Sequence, residues 1–249
     1  MTYADDLLGA RTVRELVRAF TAVSPGLSLH TLAATARRSE AGTLRARSDL
    51  LQRALLADIP HGYASLAAII RSAHRAPVLF RGWMLLPVTM AVAARACQDG
   101  TRAAYDDAMA LLGEVSGRFT SEFAVRPMLV HDLSRGLRIA RDWARSQDED
   151  VRRLAVAGTR PHLPWAQRVP AILADPGSTV PILDLLHHDP TEYVRRSVAD
   201  HLADLGRQDP QLALQVAGRW LRNPDDDLHR LVARGLRRVR HAEACTEPR

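Results

Sequence analysis

Lysine is absent from this chain. All 34 basic residues among its 249 are arginine, so no side-chain amine exists to form a Schiff base, and lysine-dependent lyase chemistry is excluded. Cysteine is scarce: Cys97 and Cys245 stand far apart with no Cys-x-x-Cys spacing, which indicates neither a disulfide framework nor a zinc site. The longest apolar run, Met84 to Ala94, is interrupted by Pro87 and falls short of the ~20 residues that cross a bilayer. Residues 1–6 carry none of the basic and apolar regions of a secretory leader, so a cytoplasmic protein without membrane attachment is expected. Gly-rich phosphate loops, a Gly-x-Ser-x-Gly elbow and a His-Glu-x-x-His pair are all missing. The His187-His188 pair has no further ligand at helical spacing. Neither a metal nor a cofactor is expected.

What remains is aliphatic, helical and basic. Hydrophobic residues make up 47% and aromatics only 5%, so each of the four tryptophans is informative. The net charge of +6 favours an anionic partner. Strand alternation is nearly absent, whereas helical periodicity covers 5–23, 27–37, 42–57, 62–73, 78–98, 101–116, 119–130, 133–146, 149–157, 165–174, 178–187, 191–206, 209–222 and 225–241. Turn chemistry separates these segments, as at Asp99-Gly100, Asp189-Pro190, Asp209-Pro210 and Asn223-Pro224.

The second half repeats itself. Asp148-Glu-Asp-Val-Arg-Arg153 recurs as Asp189-Pro-Thr-Glu-Tyr-Val-Arg-Arg196, and more loosely as Asp225-Asp-Asp-Leu-His-Arg230. The intervals, 43 residues from Val151 to Val194 and 34 from Val194 to Leu228, suit paired-helix HEAT-like units that bury a core by stacking. The expected fold is an all-α HEAT-like solenoid, one domain over 1–249 with a helical cap at 1–75, repeats at 76–241 and a tail at 242–249. The chain stops soon after the last repeat, so no added carboxy-terminal domain is expected. The paired arginines either line one side of the stack or pair with neighbouring aspartates.

Several ordered blocks carry a family resemblance: Arg118-Phe-Thr-Ser-Glu-Phe-Ala-Val-Arg-Pro127, Trp143, Val151-Arg-Arg-Leu154, Gly158-Thr-Arg-Pro-His-Leu-Pro-Trp165 and Glu192-Tyr-Val-Arg-Arg-Ser-Val-Ala-Asp-His-Leu-Ala-Asp204. The chain resembles the AlkC branch of the HEAT-repeat alkylpurine DNA glycosylases. The resemblance implies a concave basic groove for duplex DNA and monofunctional excision of cationic N-alkylated bases without nucleotide flipping, in a nucleoid-associated monomer. It places the catalytic carboxylates at Glu122 and Asp204 and a lesion contact at Trp165. Trp143, flanked by Asp142 and Arg145, is a second candidate indole, while Trp83 and Trp220 are assigned to packing. Arg118, Arg126, Arg152, Arg153, Arg160, Arg195 and Arg196 are expected phosphate contacts. A bland alternative for Glu122 is an ion pair with Arg126 one turn on.

The chemistry suits these residue types. An N3- or N7-alkylated purine is already cationic, so its glycosidic bond is weakened and the leaving base needs no proton. A carboxylate stabilises the developing oxocarbenium ion and positions water. An indole face attracts the cation. Three positions depart from the family's usual text: Ala157 replaces an acidic residue, His162 an arginine and Asp200 an asparagine. These departures leave three readings open: repair of methylated bases, specialisation for bulky adducts such as those of a self-made alkylating compound, or lesion binding without catalysis. A protein-interaction solenoid with acidic partners is a further alternative.

Overall fold

The computed structural model describes residues 7–36, 42–59, 61–237 and 239; Cys245, noted above, lies outside them. Among the described residues the fold is all-helical, with no strand. The chain divides into two compact units, Met1–Met128 and Leu129–Arg249, whereas the sequence reading places its boundary after residue 75.

The first unit holds α1 (Ala10–Val23), α2 (His30–Thr35), α3 (Leu44–Asp58), α4 (Gly62–Arg75), α5 (Leu85–Asp99) and α6 (Arg102–Glu114), and most of α7 (Glu122–His131). Threonines start two of these helices: Thr43 and Thr101 accept hydrogen bonds from Ala46 and Ala104 N–H, satisfying orphan donors of the first turn. Gly100 ends α5 in the left-handed region at φ 71°, which a glycine adopts without steric cost. Its core is aliphatic, with Phe20 tilted against Phe80 at 5.7 Å. One charged cluster ties α4 to α6: Arg71 grips Asp107 and Glu114 at 2.9 Å, and Tyr63 Oη donates to Asp107 at 2.7 Å. Hydrogen bonds from Arg71, opposed by burial and helped by Tyr63, hold the Asp107 carboxyl below its ordinary value.

The second unit is the repetitive one: α8 (Leu133–Trp143), α9 (Glu149–Gly158), α10 (Pro170–Ala174), α11 (Val180–Leu186), α12 (Glu192–Gln208), α13 (Pro210–Trp220) and α14 (Asp226–Gly235). The recurrent aspartates are caps. Asp132, Asp148, Asp209 and Asp225 each accept from an N–H of the following first turn. The helices that carry the repeated motif lie side by side, α9 against α12 and α12 against α14. They bury Leu154, Val156, Val194, Val198, Leu202, Leu205, Leu228 and Leu231, which is how stacked repeats share one core. Gly235 shows how close α14 comes: a Cβ there would stand 2.7 Å from Leu202 Cδ2.

That stacking explains the first arginine of each motif. Arg152 donates from Nε to Asp189 at 2.6 Å and from Nη1 to the Ser146 and Gln147 carbonyls. Arg195 repeats the pattern, to the Asp189 carbonyl at 2.7 Å and to Asp227 at 2.9 Å. Each thus bridges its own repeat to the next, so both are corrected from phosphate contacts to structural ties. The second arginines differ. Arg153 lies over the half-exposed Tyr193 ring at 5.2 Å, and the exposed Arg196 pairs with Glu192 one turn back.

Candidate active site

The loop between α9 and α10 builds the site in the second unit. Residues 165–169, expected to be helical, are not: α10 starts only at Pro170. Trp165 is instead held at φ 61° and is 77% exposed. A left-handed conformation costs an L-residue roughly 1–2 kcal/mol, and nothing is gained in burial by placing an indole there. Strain of this kind persists where surrounding structure enforces it, and it is concentrated at working sites.

Five residues earlier in the same loop, Arg160 reaches α12. Its Nε donates to Asp204 at 2.7 Å, and its Nη1 stands 3.9 Å from Asp200 one turn back. Asp200 is also held by Arg234 of α14 at 2.9 Å. Nearby, His162 Nε2 is hydrogen-bonded to Gln208 at 3.0 Å, and Gln208 donates to the Leu173 carbonyl. Beneath, the fully buried His201 bonds the Val156 carbonyl at 3.1 Å and Thr179 Oγ1 at 3.0 Å. Because a carbonyl only accepts, His201 Nδ1 carries a proton. This buried tie pins α12 to α9, and with it the carboxylates on either side of His201. Asp204 itself is 9% exposed, so it is an ionic group shielded from bulk water yet reachable.

Glu122 lies in the first unit, at the start of α7, 9% exposed. Thr120 Oγ1 donates to its Oε2 at 3.0 Å. Arg126 is 1% exposed and cannot reach a phosphate; its expected contact is withdrawn. Trp143 is 9% exposed at the end of α8, so it presents no open face to a base and is corrected to core packing. Arg118 is exposed, with Nη2 on the His74 carbonyl at 3.0 Å. Trp83 packs on Phe119 at 5.0 Å, and Trp220 stacks on His187 at 4.9 Å while donating to Asp184, as packing residues do. Among the described residues no group of three or more His, Cys, Asp or Glu side chains could hold a metal, and no helix is long and apolar enough to cross a membrane.

Of the sequence candidates, the structure therefore brings Arg160 and Asp204 together and leaves Trp165 open beside them in sequence. Sequence reasoning did not connect Asp200 with Arg160 or with Arg234. Their signal was available in the i, i+4 spacing of Asp200 and Asp204, but the partner, Arg234, is 34 residues away.

Residues 119–234 match the model of the DNA alkylation repair enzyme family. YhaZ, an uncharacterized protein of Bacillus subtilis (strain 168), is 45% identical over 101 residues, covering 41% of this chain and 28% of that protein. Pseudomonas fluorescens alkylpurine DNA glycosylase AlkC, solved bound to DNA containing an abasic site analog, superposes with a TM-score of 0.81 at 28% identity, over 96% of this chain and 65% of that one. The chain spans only about a quarter of YhaZ and two thirds of AlkC. Residues 119–234 thus resemble the DNA alkylation repair enzymes, and the chain has a helical-repeat fold similar to that of AlkC.

Proposed function

We propose that this chain is a monofunctional DNA glycosylase that hydrolyses the N-glycosidic bond of cationic N-alkylated bases, of the 3-methyladenine and 7-alkylguanine type, in duplex DNA. The observation that carries the reading is the loop 159–169, which sets an open, strained Trp165 five residues from the arginine that meets Asp204. The indole face offers a cationic base ~0.5–2 kcal/mol that a neutral base does not receive. Asp204 stabilises positive charge developing on the sugar and takes the proton of the attacking water. Glu122 is the second carboxylate of the proposal. Exposed Arg118 and Arg196, with the partly buried Arg153, contact phosphates, which suits an enzyme that inspects any sequence. Recognition by an exposed ring rather than a deep pocket needs no flipped nucleotide. The protein works as a cytoplasmic, nucleoid-associated monomer without cofactor. The same open site leaves room for bulky adducts, so a role in self-resistance to an alkylating compound is part of the proposal.

The test is release of free base and formation of abasic sites from duplexes carrying single adducts. A binder without catalysis would retard the duplex and release nothing, and that outcome would replace the enzymatic reading. Within the assay, Trp165→Gly is a double probe. It removes the indole and also the cost of the left-handed conformation. Release of 7-methylguanine is expected to fall about 10-fold, or about 1.4 kcal/mol, which lies within the range of a cation–π contact. Stability to urea is expected to rise by about 1 kcal/mol. A variant that lost stability would show that the ring is packing rather than presented.

A further inference from the structure

Asp204 is covered. A guanidinium at 2.7 Å neutralises much of its field, and the same positive charge repels a cationic base. Both effects oppose the chemistry assigned to this carboxylate. Arg160 must therefore give up Asp204 when the substrate is in place, and the structure holds the means. Asp200, one turn back on α12, already stands 3.9 Å from Arg160 Nη1. It is kept from closing that gap by Arg234, whose Nε and Nη2 both donate to Asp200 Oδ1, at 3.2 and 2.9 Å.

Arg234 in turn belongs to an open groove between α12 and α14, about 280 Å³ in volume. Its charged lining is Arg195, Arg196, Arg230 and Arg234 against Glu192 and Asp227. Four cations face two anions there, and the Arg196, Arg230 and Arg234 side chains are 62%, 71% and 45% exposed. A phosphate entering this groove competes with Asp200 for Arg234. The close approach of α14 at Gly235, the next residue, fixes Arg234 against α12.

We propose that Asp200 is a positioning residue that draws Arg160 away from Asp204, and that a backbone phosphate of bound DNA triggers this by engaging Arg234. In free protein, Arg234 holds Asp200, and Arg160 covers Asp204. In the complex, phosphate takes Arg234, Asp200 takes Arg160, and the Asp204 carboxylate is left without its counter-ion. The carboxylate is thus exposed only on DNA. This rests on Asp204 being the working carboxylate.

The test uses the full chain and a duplex containing one 7-methylguanine. Asp200→Asn keeps the shape but cannot draw a guanidinium. Its single-turnover release at saturating protein is expected to fall about 10-fold, the equivalent of ~1.4 kcal/mol, with the dissociation constant within about twofold of the parent. Asp200→Glu is expected to restore most of the rate. The decisive comparison is the same substitution in an Arg160→Gln background, where no cover remains and Asp200→Asn should have no further effect. An unaltered rate in Asp200→Asn, or an equal loss in both backgrounds, overturns the positioning role. For the trigger, Arg234→Gln is expected to weaken binding and to lower the salt slope of log K by about one; an unchanged slope overturns it. Full release by Asp204→Asn would instead bring down the assignment of Asp204, and is scored separately.

Discussion

Asp204→Asn is expected to slow release of 3-methyladenine and 7-methylguanine about 100-fold while leaving duplex affinity within a few-fold. The substitution removes a charge and keeps volume and hydrogen-bonding shape, so what it measures is the field at the sugar. Preorganised electrostatic groups are worth ~10²–10³ in rate when deleted singly, and 100-fold corresponds to roughly 2.7 kcal/mol. Affinity should survive, because the carboxylate faces a polyanion and opposes rather than supports binding. The same argument predicts a small gain in affinity for undamaged DNA. The measurement is single-turnover kinetics with excess protein beside a titration of an unmodified duplex. Loss of rate and affinity in the same proportion would mean that Asp204 merely anchors Arg160 and the loop that carries Trp165. Arg160→Gln separates the two cases: if Asp204 only anchors, both variants should lose rate alike.

The helices were legible in the sequence because their ends are written in local chemistry. Aspartate or threonine caps begin them, as at Asp132, Asp148 and Asp225, and Gly100 closes α5. The repeat was legible because Val-Arg-Arg recurs in phase with stacking. What the sequence did not separate was the two arginines within each motif. Adjacent helical residues point about 100° apart, so Arg152 and Arg195 turn into the neighbouring repeat while Arg153 lies over Tyr193 and Arg196 turns outward. Which one turns inward depends on where the following repeat sets its aspartate, 37 residues on for Arg152. Periodicity also extended α10 five residues too far, since the left-handed turn at Trp165 is imposed by the loop and not by local preference. Trp143 failed for a similar reason: its charged neighbours, Asp142 and Arg145, face water while the ring itself points inward. Of the proposed site, Asp204 and Trp165 were read through the resemblance, and Asp200 with Arg234 only through the coordinates.

The inter-repeat tie makes the largest prediction for stability. Asp189 is 5% exposed and accepts from Arg152 at 2.6 Å and from Thr191 N–H and Oγ1 at 2.9 Å each. Asp189→Ala leaves the Arg152 guanidinium largely buried and stripped of its counter-charge, a change that costs ~3–5 kcal/mol when one partner of a buried pair is deleted. Against a total stability of about 5–15 kcal/mol, that is a large share. For a chain of this size it corresponds to a drop in Tm of about 10 °C. The companion change Arg152→Met, which removes the other charge, should recover part of the loss in the double variant, because no unpaired ion then remains. The pH dependence follows from the carboxyl. Burial pushes the Asp189 group up, but the hydrogen bonds from Arg152 and Thr191 outweigh it and hold the group below its ordinary value of 3.8. A carboxyl depressed in the folded state contributes stability that is complete above the unfolded value and is lost as pH falls through the folded one. The gap in Tm between parent and Asp189→Ala should therefore be constant from pH 8 to about 5 and shrink below about 4. Thermal unfolding followed by circular dichroism across that range is the check. A gap that stayed constant into acid would mean that the loss came from the missing cap on Thr191 rather than from the charge on Asp189.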